Sequence, residues 1–162
     1  MKQYTFMMLK PDAFQKGVHE EVIKLLEEKG LHVEESRCIQ VDMNIMKVLL
    51  DHYHEVIDRM TVEFNYVGKM FKTFYYGNQK IMPMVISYEG NENIIDYSRK
   101  LVGATNPQNA DADSIRGIYS DDSYSKAEEN NRLVNNVIHA SDSIESVERE
   151  LKLWKPVIKQ FR

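Results

Sequence analysis

Asn136-Val137-Ile138-His139-Ala140-Ser141-Asp142-Ser143 is the stretch on which the reading of this chain turns. Val137 and Ile138 are β-branched and read as a strand end, whereas Ser141, Asp142 and Ser143 are residue types that open helices. A strand that hands over to a helix within so few residues belongs to a layered α/β arrangement. The junction leaves His139 near backbone N–H groups that favour anions. Histidine titrates near neutrality and can act as a nucleophile. A lone histidine is more often a packed structural residue, so its partners decide.

The following helix, from Ser143 to about Trp154 and ending before Pro156, places Val147, Glu150, Leu151 and Trp154 on one face. A carboxylate does not belong on a buried stripe without a partner. Held against His139, Glu150 would fix the imidazole tautomer and leave the other ring nitrogen free to attack. The alternative is a glutamate at the stripe's edge that reaches solvent.

Further upstream, Tyr4 to Lys10 is a nearly unbroken apolar run, as in a central strand covered on both faces, and Pro11 ends it. Lys10 is thereby delivered to the sheet edge where a helix begins, a placement suited to phosphate. Val18 to Lys29 reads as a helix closed by Gly30, and Leu31 to Val41 as a second strand. Helical spacing from Ile45 to Val56 resumes from Phe64 to Tyr75 after a break near Arg59 to Val62. Ile81 to Tyr88 is a third strand in which Pro83 predicts a start or an edge, and Ile94 to Val102 is a helix closed by Gly103. Gly103 to Asn135 shows no periodicity. Its Ser120 to Asn131 portion reads as an exposed insertion, with Asp121, Asp122, Glu128 and Glu129 as a solvated acidic loop. Arg99 and Arg116 bracket the Gly103-Ala104-Thr105-Asn106-Pro107 turn. With Lys10 and the Thr105 hydroxyl they form a candidate triphosphate clamp.

A chain of 162 residues, 43% hydrophobic and 28% charged, can bury one substantial core, which predicts one domain over 1–162 with a polar insertion near 118–134. The net charge of −4 argues against a generic nucleic-acid surface. The single cysteine, Cys38, is expected to be a buried thiol in a reducing compartment. With no leader-like start and no window long enough for a membrane span, the expected location is cytoplasmic. Walker, dinucleotide-binding and protein-kinase motifs are absent, and no Cys/His/Asp cluster has metal-cage spacing.

Taken together, Lys10-Pro11-Asp12, Tyr53, Arg99, Thr105-Asn106-Pro107, Ile115-Arg116-Gly117 and the His139 stretch with Glu150 resemble the nucleoside diphosphate kinase family from Tyr4 to about Trp154. The resemblance implies a ferredoxin-like α+β sandwich, with helices covering a four-stranded antiparallel sheet, assembled as a homo-oligomer. It implies ping-pong transfer of the γ-phosphoryl group of a nucleoside triphosphate such as ATP through phosphohistidine at His139. Lys10 would neutralise charge, Tyr53 would position the phosphoryl group, and Arg99, Thr105 and Arg116 would hold the outer phosphates. Asn136 would meet the sugar, Glu150 would orient His139, and Ser141 would support Glu150. Mg²⁺ would enter bridged by the nucleotide's phosphates, without protein ligands. Neither a membrane nor a specific nucleic acid is an expected partner.

Three departures stand out. The family's aromatic pair after the Tyr53 helix is replaced by Met60-Thr61-Val62, leaving Phe64 and Tyr66 as candidate base contacts. The Arg59–Pro83 segment and the stretch between Arg116 and Asn136 are both longer than usual. An inactive nucleotide-binding scaffold of the same fold is the alternative, and the complete set of reactive residues speaks against it.

Overall fold

The computed structural model describes residues 1–160. The chain opens with β1 (Gln3–Leu9), a short α1 (Pro11–Gln15) and α2 (His19–Glu28). At the end of α2 the N–H of Leu31 reaches the Leu26 carbonyl and that of Gly30 the Glu27 carbonyl, a closure that needs the positive φ of Gly30. β2 (His32–Ser36) and β3 (Ile39–Gln40) follow, where one strand was expected. Cys38 lies between them and is exposed, so the buried-thiol expectation fails. Next come α3 (Met43–His52), capped by Asp42, then α4 (His54–Arg59) and α5 (Tyr66–Met70), which runs into a π-helical turn over Phe71–Tyr75.

β4 (Lys80–Tyr88), α6 (Ile94–Val102), a 3₁₀ turn (Pro107–Asn109), α7 (Ile115–Tyr119), α8 (Tyr124–Glu129), β5 (Ile138–Ala140) and α9 (Ile144–Lys159) complete the order. The stretch expected to be irregular therefore holds three short helical pieces, each with its own polar N-cap: Asn106, Ser114 and Ser123. α9 also outruns its expected end, because Pro156 sits inside it. Proline removes one helical hydrogen bond, and burial of Val157 and Ile158 beyond it keeps the helix on the core.

The strands pair antiparallel in the order β2-β4-β1-β5, with β3 added beside β4, so the expected four-stranded ferredoxin-like sheet gains a fifth short strand. β4 is interior, which contradicts the edge reading of Pro83. Its partners on one side change from β3, opposite Ile81, to β2, opposite Met84, and Pro83 falls at that gap. The Pro83 carbonyl accepts there from the Arg37 N–H, and the missing proline donor leaves no ladder bond unmade.

β1 explains its own apolar run. Met7 and Leu9 enter a core with α2 and α6, through Val22, Leu26, Ile94 and Val102. Phe6 and Met8 enter the opposite core with α3, the π turn and α9, through Met46, Leu49, Phe74 and Trp154. A central strand covered on both faces has no polar side to offer.

Candidate active site

His139 lies on β5 directly opposite Met8 of β1, and so faces the Phe6–Trp154 core. Its ring is tilted against Phe6 at 5.9 Å between centroids, and about a fifth of the side chain stays open to solvent. α9 begins at once behind it, with Ser143 capping the Ser146 N–H at 3.1 Å, and carries Glu150 to 2.7 Å from His139 Nε2. An ionised carboxylate only accepts, so Nε2 carries the proton and Nδ1 keeps its lone pair. The Ser141 hydroxyl donates to the same Glu150 oxygen at 2.8 Å, and Arg149 stands 3.6 Å from the other. Glu150 is 3% exposed, the buried carboxylate expected of its stripe, and its partners are those expected.

A second imidazole meets the first. His52, 3% exposed, stands edge-on to His139 with centroids 4.5 Å apart, and its Nδ1 accepts from Trp154 Nε1–H at 3.0 Å. Burial first, then His139 and Arg149, hold its pKa well below the ordinary histidine value, so the ring is neutral with its proton on Nε2. His52, His139 and Glu150 bring three donor atoms within 4.8 Å of one another. That set does not suit a resident metal. Glu150 is already shared by His139 and Ser141, and the Trp154 hydrogen bond keeps a proton on the His52 nitrogen that a cation would need.

Lys10, where β1 ends, gives its backbone N–H to the Val137 carbonyl at 2.8 Å. Its ammonium donates to Asn136 Oδ1 at 2.7 Å and to the Val134 carbonyl at 3.3 Å. Burial lowers its pKa to about 8, with Asp12 pulling upward and Arg116 pushing further down. The Asn136 amide donates to the Thr105 carbonyl at 2.9 Å, so one side chain couples Lys10 to the Thr105 loop. Arg116, 4% exposed, spends three N–H groups on the carbonyls of Asn136, Gly103 and Ile138, at 3.2, 3.0 and 2.6 Å. Two of its five donors remain. Burial and neighbouring Arg99 lower its pKa to about 10. Arg99 itself reaches the Ala140 carbonyl at 3.4 Å.

Between Lys10 and His139 the backbone is strained. Val137 is fully buried with φ +72°, and the Ile138 N–H closes onto the Asn136 carbonyl at 2.8 Å, the rare positive-φ γ-turn. For a β-branched residue such a conformation costs on the order of 1–3 kcal/mol. Asp12 holds it in place by accepting the Val137 N–H at 3.0 Å. Neither this use of Asp12 nor the turn was evident from the sequence, because a valine gives no signal for left-handed backbone.

A single cleft of about 720 Å³ is lined by Lys10, Tyr53, Phe64, Tyr66, Arg99, Thr105, Arg116, Asn136, His139 and Glu150. Ser141, fully buried, lies behind the wall rather than on it. From His139 an aromatic row runs outward: Tyr53 at 6.0 Å, Tyr66 at 6.5 Å from Tyr53, and Phe64 at 6.2 Å from Tyr66 with planes 24° apart. Burial keeps the Tyr53 hydroxyl protonated far above the usual range and raises Tyr66 to about 12, so both remain donors.

The insertion supplies another wall, through Tyr124, Ala127, Glu128, Arg132, Leu133 and Val134. Asp121, Glu128 and Glu129 are exposed, as the solvated acidic loop requires, but Asp122 is not. Asp122 is 6% exposed, takes both Nη atoms of Arg132 at 2.6 and 3.0 Å, and accepts the Asn135 N–H at 2.7 Å. Burial opposes its charge, yet these donors hold its pKa below the ordinary carboxylate value. Lys72 donates to the Asn130 carbonyl at 2.8 Å, tying the insertion to the π turn. A partner ten residues away and the burial of the carboxylate leave no trace in a charge pattern.

With this geometry in view, the comparisons with known proteins are specific. The family model described as nucleoside diphosphate kinase matches residues 3–157. A nucleoside diphosphate kinase of Methanobrevibacter smithii is 37% identical over 154 residues, covering 95% of this chain and 87% of that protein. One from Staphylococcus epidermidis is 35% identical over 150 residues, covering 93% and 85%. Among solved structures, a transition-state mimic of the Borrelia burgdorferi nucleoside-diphosphate kinase with bound vanadate and ADP superposes with a TM-score of 0.80 at 28% identity, covering 94% of this chain and 86% of that one. An NDP kinase from Pyrobaculum aerophilum gives 0.74 at 28%, covering 95% and 96%. With the family model spanning nearly the whole chain and relatives above 30% identity aligned over most of their length, this chain belongs to the nucleoside diphosphate kinase family.

Proposed function

We propose that the chain moves the γ-phosphoryl group of a nucleoside triphosphate to a nucleoside diphosphate in two half-reactions through His139. The observation that carries the reading is the 2.7 Å bond from His139 Nε2 to buried Glu150, which frees Nδ1 inside a cleft walled by Lys10, Arg99 and Arg116. Nδ1 forms a bond to the γ-phosphorus as the bond to the β–γ bridging oxygen breaks, and the departing diphosphate keeps that electron pair. A second diphosphate then attacks the phosphorus with a terminal oxygen, and the P–N bond breaks back onto Nδ1.

Phosphoryl transfer leaves little covalent work beyond the nucleophile, so alignment and charge neutralisation carry most of the acceleration. Lys10 and the remaining donors of Arg116 meet the transferring group, and Arg99 and the Thr105 hydroxyl hold the outer phosphates. Tyr53 donates to the phosphoryl group, and Asn136, already fixed between Lys10 and Thr105, places the sugar. Glu150, supported by Ser141, stabilises positive charge on the ring as the P–N bond forms. Phe64 and Tyr66 offer faces to the base. Mg²⁺ arrives as part of the metal–nucleotide substrate, held by its phosphates. We further expect a cytoplasmic homo-oligomer. A lone cysteine suits a reducing compartment, and among the described residues no helix is long and apolar enough to cross a membrane.

The test is to incubate the protein with Mg²⁺ and ATP labelled at the γ-phosphate, isolate the protein, and add unlabelled GDP. Acid-labile, base-stable label on the protein that moves to GTP is expected. Absence of label removes the kinase reading and favours a nucleotide-binding scaffold. In the same assay Glu150→Gln keeps an acceptor for Nε2–H but loses the charge, and should lower turnover about 10- to 100-fold, the range for lost orienting partners. Nucleotide affinity should stay within about twofold. Turnover equal to wild type would remove Glu150 from this role.

A further inference from the structure

Lys69 does not belong to the cationic end of the cleft. It lies on α5 one turn after Tyr66, is 7% exposed, and lines the cleft. Its ammonium stands 3.5 Å from the centroid of the Phe64 ring. Among the described residues no carboxylate forms an ion pair with it and no side chain or carbonyl accepts a hydrogen bond from it. Its stem is buried, but Nζ is not sealed off, so the ammonium opens into the cleft with one aromatic face beneath it. Three N–H donors are thus held at the far end of the aromatic row that starts at His139.

We propose that Lys69 selects the base, donating to a ring carbonyl so that keto bases are preferred over amino bases. The inference rests on the reading above, in which a nucleotide whose phosphates meet His139 brings its base against Tyr66, with its edge toward the ammonium that Phe64 holds. Stacking alone is indifferent to base identity, since every base has a π face. An ammonium is not indifferent, because it has donors and no acceptor. Guanine presents O6 and N7, both acceptors, whereas adenine sets an amino group where guanine has O6. Uracil and thymine differ from cytosine in the same sense at position 4. The Phe64 ring holds Lys69 in place without spending its N–H groups on a permanent acceptor.

Equilibrium binding of GDP, IDP and ADP tests this without requiring turnover. The wild-type protein should bind GDP about tenfold more tightly than ADP, within the range for a charged contact to a base edge. IDP, which keeps O6 and N7 but lacks the 2-amino group, should follow GDP. In Lys69→Met, which keeps the chain's length and apolar stem, the GDP-to-ADP preference should fall close to one, and in Lys69→Arg it should persist. An unchanged preference in Lys69→Met, or IDP behaving like ADP, overturns the inference. Should Lys69→Met fail to fold, the wild-type comparison still decides: equal affinity for IDP and ADP overturns it, and a tenfold preference for IDP supports it. The labelling experiment judges the other reading separately. A preference without label on His139 keeps Lys69 and discards the kinase, and label without a preference does the reverse.

Discussion

His139→Ala should yield no labelled protein from γ-labelled ATP, and turnover should fall on the order of 10⁴-fold or more, as when a nucleophile is deleted from a site whose parts act as a unit. The surroundings explain the size of the effect. His52 cannot substitute, because its Nδ1 lone pair is taken by Trp154 Nε1–H. Lys10 cannot either, because its ammonium is bound to Asn136 and Val134. Nucleotide affinity should persist, since Arg99, Arg116 and Lys10 are untouched and ring removal leaves Glu150 with Ser141 and Arg149 as partners. Labelling of His139→Ala at the wild-type level would assign the phosphoryl group to another residue.

Lys10→Met should move activity and stability in opposite directions. Deleting the cation proposed to meet the transferring phosphoryl group should lower kcat/KM about 10²- to 10³-fold, as for other preorganised donors. For wild type, kcat/KM should decline above about pH 8, where the free enzyme's ammonium loses its proton. Stability follows from the same depression. The folded pKa lies below the unfolded one, so between about 8 and 10.5 the unfolded chain binds more protons and stability rises with pH. Below that window the penalty is complete, about 3 kcal/mol for a shift of this size. Methionine removes the penalty along with two hydrogen bonds, and on the order of 1–2 kcal/mol of added stability is expected at neutral pH. Denaturant midpoints of both proteins at pH 7 and pH 10 check this. The variant's advantage should shrink at the higher pH, and an equal difference at both would show that the buried charge carries no penalty.

The parts of the site legible in the sequence were those with a pattern behind them. Glu150 broke an apolar stripe, which both exposed it and named its partner, and Lys10 stood where an apolar run met proline. The Ser141–Ser143 cap and the glycines after α2 and α6 are local chemistry, and local chemistry survives folding. What escaped was set by tertiary structure. Pro156 looked like a helix stop because the burial of Val157 and Ile158 that carries α9 through it is not local. Pro83 signalled an edge because the missing donor lies at an edge of a kind, the gap between two partner strands. Asp122 looked solvated until the chain folded it against Arg132. Phe64 and Tyr66 were visible as aromatics, but Lys69 against the Phe64 ring was not, since nothing marks a buried lysine in advance.

Arg116 holds the carbonyls of Gly103, Asn136 and Ile138 whether or not a nucleotide is bound. A descendant of this chain that had abandoned chemistry would still need that guanidinium to keep the histidine strand against the Thr105 loop. The persistence of Arg116 in any relative is therefore weak testimony to activity. Lys10 is the better witness, because a buried ammonium that weakens the fold is retained only while something rewards it.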